Sequence, residues 1–262
     1  MTQTVVLTIA GSDSCGGAGI QADVKTFAAF GVHGATVITA VTAQNTQGVQ
    51  DAFLLPPSVI EAQLRAVLSD LPVRAIKTGM LGNAEIVETV VRVLNEHRNI
   101  PLVVDPVLCA KSGDVLLDAA GITALKKKLI PRAFLVTPNS EEAAQLCGFT
   151  VDTVALQERA AKRLVNMGAT WALVKGGHIP GDQAYDLLAD KENTYRFVAP
   201  RIQTQNTHGT GCTLAAAITA ILAKGVELPK AVRRAKQYVS SCIAQGFPIG
   251  QGYGVLDHFP KA

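Results

Sequence analysis

The chain has 262 residues, enough at roughly 150 residues per domain for one large domain or two small ones. Hydrophobic residues make up 48% and aromatic ones only 5%, which suits an aliphatic core under packed helices, and a charged fraction of 17% is too low for disorder. A net charge of +3 makes no electrostatic case for nucleic acid, and no apolar run nears the roughly 20 residues of a membrane span.

In chain order, residues 4–9 predict a first strand running into Ala10-Gly11-Ser12-Asp13. A glycine-rich segment follows, then a helical stripe of Ile20, Val24 and Phe27. Residues 35–40 predict a second strand ending in Thr42-Ala43-Gln44-Asn45. Val59, Leu64, Val67 and Leu68 mark a helix opened by the capping-box pattern Ser58-x-x-Glu61. Further strands are predicted at 73–77, 102–105, 134–137 and 171–175, with Val87, Val90, Val91 and Leu94 forming a helix after the first of these. Lys126-Lys127-Lys128 reads as the solvated end of a helical pattern beginning near Val115. Residues 184–188 and 194–198 predict a hairpin, followed by helices at 209–224, closed by Gly225, and at 229–245.

Repeated βα alternation predicts a three-layer α/β/α fold with a mostly parallel central sheet and a small β-hairpin. With no repeat or linker, residues 1–262 are expected to form a single domain. The N-terminus lacks a basic region ahead of its apolar run, and the five cysteines (15, 109, 147, 212, 242) include no CxxC pair. A reduced, cytoplasmic protein is expected.

In such a sheet the carboxyl ends of the strands build the ligand crevice. Any one polar strand end is usually just a turn; several on one edge imply a shared site. Gly17-x-Gly19-x-x-Ala22 fits a dinucleotide fingerprint on paper. It begins too far past the strand, however, and Gln44 stands where a ribose-binding acid belongs. No GK[ST] completes a Walker loop. A loop closing over a small ligand at residues 13–19 and a plain glycine turn both remain open. Asn206-Thr207-His208-Gly209-Thr210-Gly211-Cys212-Thr213 opens directly into an apolar helix, where converging N–H groups make an anion hole. Cys212 falls in that first turn, where a thiol's pKa tends to fall; the alternative is a small packing residue. Asp105 and Asn139-Ser140-Glu141-Glu142 offer oxygen ligands for Mg²⁺ held with phosphates, or simply a helix cap. Lys175 could neutralise a phosphate. The histidines (33, 97, 178, 208, 258) show no zinc-ligand spacing, and no G-x-S-x-G elbow is present.

Together these segments resemble the ribokinase-like superfamily, and within it the hydroxymethylpyrimidine/phosphomethylpyrimidine kinases of thiamine biosynthesis. The carriers are AGSDSCGGAGIQADVKT (10–26), AVTAQNT (40–46), KTGML (77–81), VDPVLCAKSGDVLL (104–117), TPNSEEA (137–143), VKGGH (174–178) and NTHGTGCT (206–213). The resemblance implies ATP-dependent phosphorylation of an aminopyrimidine alcohol and then of its monophosphate. It implies that Gln44 reads the pyrimidine edge, with Gly11, Asp23, Met80 and Val107 lining the pocket. Gly209, Thr210 and Gly211 would form the anion hole, Lys175 would contact phosphates, and Cys212 would accept the hydroxyl proton. Asp105, Asn139 and Glu142 would manage Mg²⁺, held mainly through ATP with no dedicated protein metal site. A homodimer is expected by the same analogy. Cys15 stands where serine is commoner and Leu108-Cys109 where Met-Val is usual, which bears on fine substrate preference only. The nearest rival is a pyridoxal kinase. A non-catalytic pyrimidine binder would not need GTGC, Asn139-x-x-Glu142 and Lys175, and a nicotinamide oxidoreductase lacks its acid.

Overall fold

The computed structural model describes residues 3–177, 179 and 181–261; the strand end expected to reach His178 is therefore described only to Gly177. The apolar runs form β1 (Val5–Asp13), β2 (His33–Asn45), β3 (Gly48–Leu54), β4 (Val73–Thr78), β5 (Leu102–Val104), β6 (Leu135–Val136), β7 (Trp171–Val174), β8 (Gln183–Ala189) and β9 (Thr194–Pro200). They make one sheet in the order β3-β2-β1-β4-β5-β6-β7-β8-β9. The strands from β2 through β7 in that order run parallel; β3 joins one edge antiparallel to β2, and on the other side β8 pairs antiparallel with β7 and with the edge strand β9.

The helices are α1 (Gly19–Ala29), α2 (Pro57–Asp70), α3 (Ala84–Leu94), α4 (Ala119–Ala124), α5 (Ser140–Cys147), α6 (Val154–Asn166), α7 (Thr210–Ala223) and α8 (Leu228–Ala244). Strand periodicity sends Val5, Leu7 and Ile9 to one face, where they share a core with α2 through α6. Val6 turns to the other face, toward Phe27 of α1 and Ala216 of α7, and α8 extends that layer. The three-layer α/β/α expectation holds.

Several local readings are corrected. Edge strand β3 was not expected, because Gln50 and Asp51 break its apolar alternation; such polar residues suit an edge strand. No capping box opens α2. Pro57, with its fixed φ, starts the helix, so Ser58 lies inside it and Glu61 pairs instead with Arg65 and Arg92, at 2.9 and 2.8 Å. Helix α1 buries Ala22, Asp23, Thr26 and Phe27 and leaves Ile20 and Val24 half-covered, because a buried lysine draws Asp23 inward. Val115 is 72% exposed in a loop, and α4 starts only at Ala119, capped by Asp118. Lys126, Lys127 and Lys128 lie on the wider helical turn that follows α4, where Lys128 pairs with Glu88.

Strand order reverses beside β1, since β2 lies on one flank and β4 on the other. The crevice beyond the carboxyl ends of β1 and β4 is therefore the switch point at which such sheets bind ligands.

Candidate active site

The two glycine-rich segments, far apart in sequence, meet at that crevice. The carboxylate of Asp13, at the end of β1, organises the first. Its Oδ1 accepts from the N–H of Cys15 at 2.8 Å, and its Oδ2 accepts from Gly17 at 3.0 Å and Ala18 at 2.8 Å. His208 Nε2 lies 2.8 Å from the same Oδ2. Burial works to raise the Asp13 pKa, but the His208 bond and these N–H donors outweigh it and hold the carboxyl below its usual range. Gly209 caps α7 with φ of 83°, a Cβ there would strike the Gly17 carbonyl, and a Cβ on Gly17 would strike the His208 ring, so both glycines are required. The 13–19 segment is thus docked against α7.

The start of α7 lies beside a charged cluster. A Cβ on Gly211 would lie 3.3 Å from Lys175 Nζ and 3.7 Å from Asp105 Oδ2. Lys175 follows β7 and bonds Asp105 Oδ1 at 3.2 Å, which Thr137 also donates to at 3.1 Å. Asn139 and Glu142 form a reciprocal cap on α5: Asn139 Oδ1 accepts from the Glu142 N–H at 2.8 Å, and Glu142 accepts from the Asn139 N–H at 2.7 Å. The capping alternative is therefore real, and it also fixes Glu142 beside the lysine. Burial, with Asp105 adding and Lys175 opposing, pushes Glu142 up to about 7. Burial disfavours the Lys175 charge, but Asp105 and Glu142 outweigh it and keep the ammonium protonated.

On the β1/β4 side, a Cβ on Gly11 would meet Met80 Sδ at 3.0 Å, so these two residues expected to line the pocket lie side by side. Gln44 is half-buried, its Oε1 accepting from Thr42 at 3.2 Å and its Nε2 lying 3.5 Å from His208 Nε2. Val107 follows Asp105 in a tight turn and is half-buried.

Two expectations change. Asp23 does not line the pocket, since it has no exposed surface. Its oxygens both accept from Lys77 Nζ at 2.8 Å and one accepts from Thr8 at 2.6 Å. Cys212 does not have a lowered pKa either. Burial, with Asp23 and Asp105 adding, pushes the thiol up to about 11 and outweighs the nearby Lys77 ammonium.

Sequence reasoning passed over Asp13, His208 and Lys77. A lysine inside an apolar strand was the available signal, because such a charge needs a buried partner. Asp105 and Glu142 supply the hard oxygen donors Mg²⁺ prefers, and their crowding is what a divalent cation would relieve. Asp13, Cys15 and His208 place three ligand-type atoms within 4.8 Å of one another, but Asp13 Oδ2 and His208 Nε2 are already spent on each other.

A glycine-rich helix start at the switch point of such a sheet defines an α/β fold with a candidate anion-binding crevice. Comparison with known proteins narrows this. The phosphomethylpyrimidine kinase family model matches residues 13–257. A hydroxymethylpyrimidine/phosphomethylpyrimidine kinase of Streptomyces coelicolor is 51% identical over 258 residues, covering 98% of this chain and 95% of that protein. A phosphomethylpyrimidine kinase structure from Clostridium difficile superposes with a TM-score of 0.82 at 42% identity, covering 92% of this chain and all of the other. Pyridoxal kinase of Staphylococcus aureus, solved with AMP-PCP and pyridoxal, gives a TM-score of 0.91 at 38% identity over 99% of this chain and 95% of that one. The chain belongs to the phosphomethylpyrimidine kinase family.

Proposed function

We propose that the protein transfers the γ-phosphoryl group of ATP to the hydroxymethyl oxygen of 4-amino-5-hydroxymethyl-2-methylpyrimidine, and then to the resulting monophosphate. The observation that carries this reading is Gly211 standing directly over Lys175 and Asp105 at the start of α7. Backbone N–H groups of Gly209, Thr210 and Gly211 supply the anion hole, and Lys175 supplies a fixed positive charge. Gln44 offers a donor and an acceptor to the aminopyrimidine edge, while Gly11, Met80 and Val107 line the ring. Asp23 acts from beneath by holding Lys77.

In-line phosphoryl transfer has a loose transition state, so positioning and charge outweigh base strength. A thiol raised to about 11 is protonated at neutral pH. Cys212 therefore acts not as the base the resemblance implied but as a neutral thiol that orients the acceptor hydroxyl, whose proton passes late to an oxygen of the transferred phosphoryl group. When bound, Mg²⁺ neutralises the ATP phosphates; Asp105 and Glu142 would hold it, directly or through water, with Asn139 fixing Glu142.

The reading extends to the whole chain as one domain, supported by the single continuous sheet. It also extends to a homodimer, supported by the family resemblance and by Phe53 and Val41, 68% and 49% exposed at the β3 edge. Five unpaired cysteines support a reducing, cytoplasmic setting. No helix among the described residues is long and apolar enough to cross a membrane.

The test is a coupled assay of ADP release with ATP and either the hydroxymethylpyrimidine, its monophosphate or pyridoxal. Turnover of the first two supports the proposal. Release with pyridoxal alone replaces it by the pyridoxal kinase reading, and no release with any acceptor overturns it.

A further inference from the structure

The second transfer poses a problem that the residues described so far do not solve. Its acceptor brings a phosphate up to the triphosphate, and like charges must approach closely. The cations beneath the site are already committed. Lys77 is neutralised by Asp23, and Lys175 is shared between Asp105 and Glu142.

One lysine in the segment after β5 is not. Beyond the pocket residue Val107 the chain folds into a short flap. Leu116 N–H bonds the Leu108 carbonyl at 2.8 Å, Ala110 N–H bonds the Asp114 carbonyl at 2.8 Å, and Gly113 turns the tip with φ of 97°. Asp114 anchors one side of the flap by accepting from the Val49 N–H at 3.2 Å and from Ser112 at 2.5 Å. From the flap, Lys111 Nζ reaches the hydroxyl of Thr207, two residues before Gly209, and lies 4.6 Å above the Tyr253 ring. Among the described residues no carboxylate is within ion-pair distance of it. An ammonium held only by a hydroxyl and a ring face has its charge uncompensated, and both contacts are weak enough to exchange for an anion.

We infer that Lys111 is the acceptor-phosphate receptor of the second transfer: the flap carries its ammonium between the ring pocket at Val107 and the anion hole at Gly209, where it pairs with the phosphate of the monophosphate substrate. Desolvation by the surrounding chain already lowers the pKa of this lysine, as expected for a cation lacking its counter-charge. The unphosphorylated alcohol has no group for Lys111 to pair with. The role is therefore one of acceptor selection, and it rests on the two-step kinase reading above.

The experiment measures kcat/KM of the full chain and its Lys111→Gln and Lys111→Arg variants on both acceptors at saturating ATP and Mg²⁺. Replacing a charge-assisted hydrogen bond predicts a loss of roughly 10- to 100-fold on the monophosphate for Lys111→Gln, several times larger than any loss on the alcohol, with substantial recovery in Lys111→Arg. Because the flap could misfold in the variants, a second measurement uses the unmodified chain without ATP. Acylation of Lys111, followed by mass spectrometry, should be suppressed by the monophosphate and not by the alcohol. Equal losses on both acceptors, or labelling unaffected by the monophosphate, overturn the role of Lys111 alone. Failure of the unmodified chain to turn over either acceptor overturns the kinase reading itself.

Discussion

The Asp13 carboxylate and the His208 imidazole, 195 residues apart in the chain, lie 2.8 Å from each other and bolt the first glycine segment to the second. Because the Asp13 pKa is depressed, the stability it contributes is present above the ordinary carboxylate range and is lost as pH falls through the lowered value. Asp13→Asn should lower Tm at pH 7 by several degrees, corresponding to about 1–3 kcal/mol. It should also flatten the decline of Tm between pH 5 and pH 3. Tm measured across that range checks both, and an acid limb identical to the unmodified chain would remove Asp13 from the account.

Gly211→Ala isolates the anion hole. This residue has no positive φ, so alanine costs no backbone strain, yet its methyl would sit 3.3 Å from Lys175 Nζ where phosphate must enter. The expected result is a kcat loss of about 100-fold or more, in the range seen on removing an oxyanion donor, with Tm nearly unchanged. Steady-state kinetics beside a thermal melt separates this from misfolding.

Glu142→Gln should trade activity for stability. The carboxyl is pushed up to about 7, so the unmodified fold loses stability as pH rises from about 4.5 to 7 and stays lower above. Glutamine removes that penalty and still serves the cap at this position. The variant should therefore melt higher than the unmodified chain at pH 8, with little difference at pH 4.5, while kcat falls at least tenfold on both acceptors.

Cys212→Ala should lower kcat more for the alcohol than for the monophosphate, whose acceptor oxygen is already anionic. Equal losses on the two steps, measured by ADP release, would count against any role in orienting the acceptor hydroxyl.

Lys77→Met strands a buried carboxylate and should cost about 3–5 kcal/mol, read by urea unfolding. Combining it with Asp23→Leu should restore much of that stability. Activity should not return, if Lys77 also sets the field at Cys212.

The elements that carry the site were legible because each announces itself locally. A β-branched run ending in a polar turn is a strand end, and GTGC opening an apolar stretch is a helix start; both fall where the sheet needs them. What escaped depends on register between distant elements. Nothing near Asp23 says that its carboxylate faces Lys77, 54 residues on, and not the pocket. Ser58-x-x-Glu61 satisfied a local rule but lost to the proline before it. The fall expected for the Cys212 thiol followed from its place on α7, and it failed because burial and two carboxylates act through space. The flap was invisible for another reason: the helical pattern placed near Val115 begins only at Ala119, and the flap's tethers at Val49 and Tyr253 come from other parts of the chain.

The close seating of Gly209 on the Gly17 carbonyl has a consequence for the life of the chain before it is complete. The residues proposed to line the ring, Gly11, Gln44, Met80 and Val107, all lie in the first half of the sequence and could come together early. The phosphate cradle cannot, because it needs residue 209 and its helix pressed against residue 17. On the proposed reading, a nascent or partly unfolded molecule would thus be able to hold an acceptor without being able to spend ATP, which makes nucleotide turnover a reporter that the early and late parts of the chain have closed around the crevice.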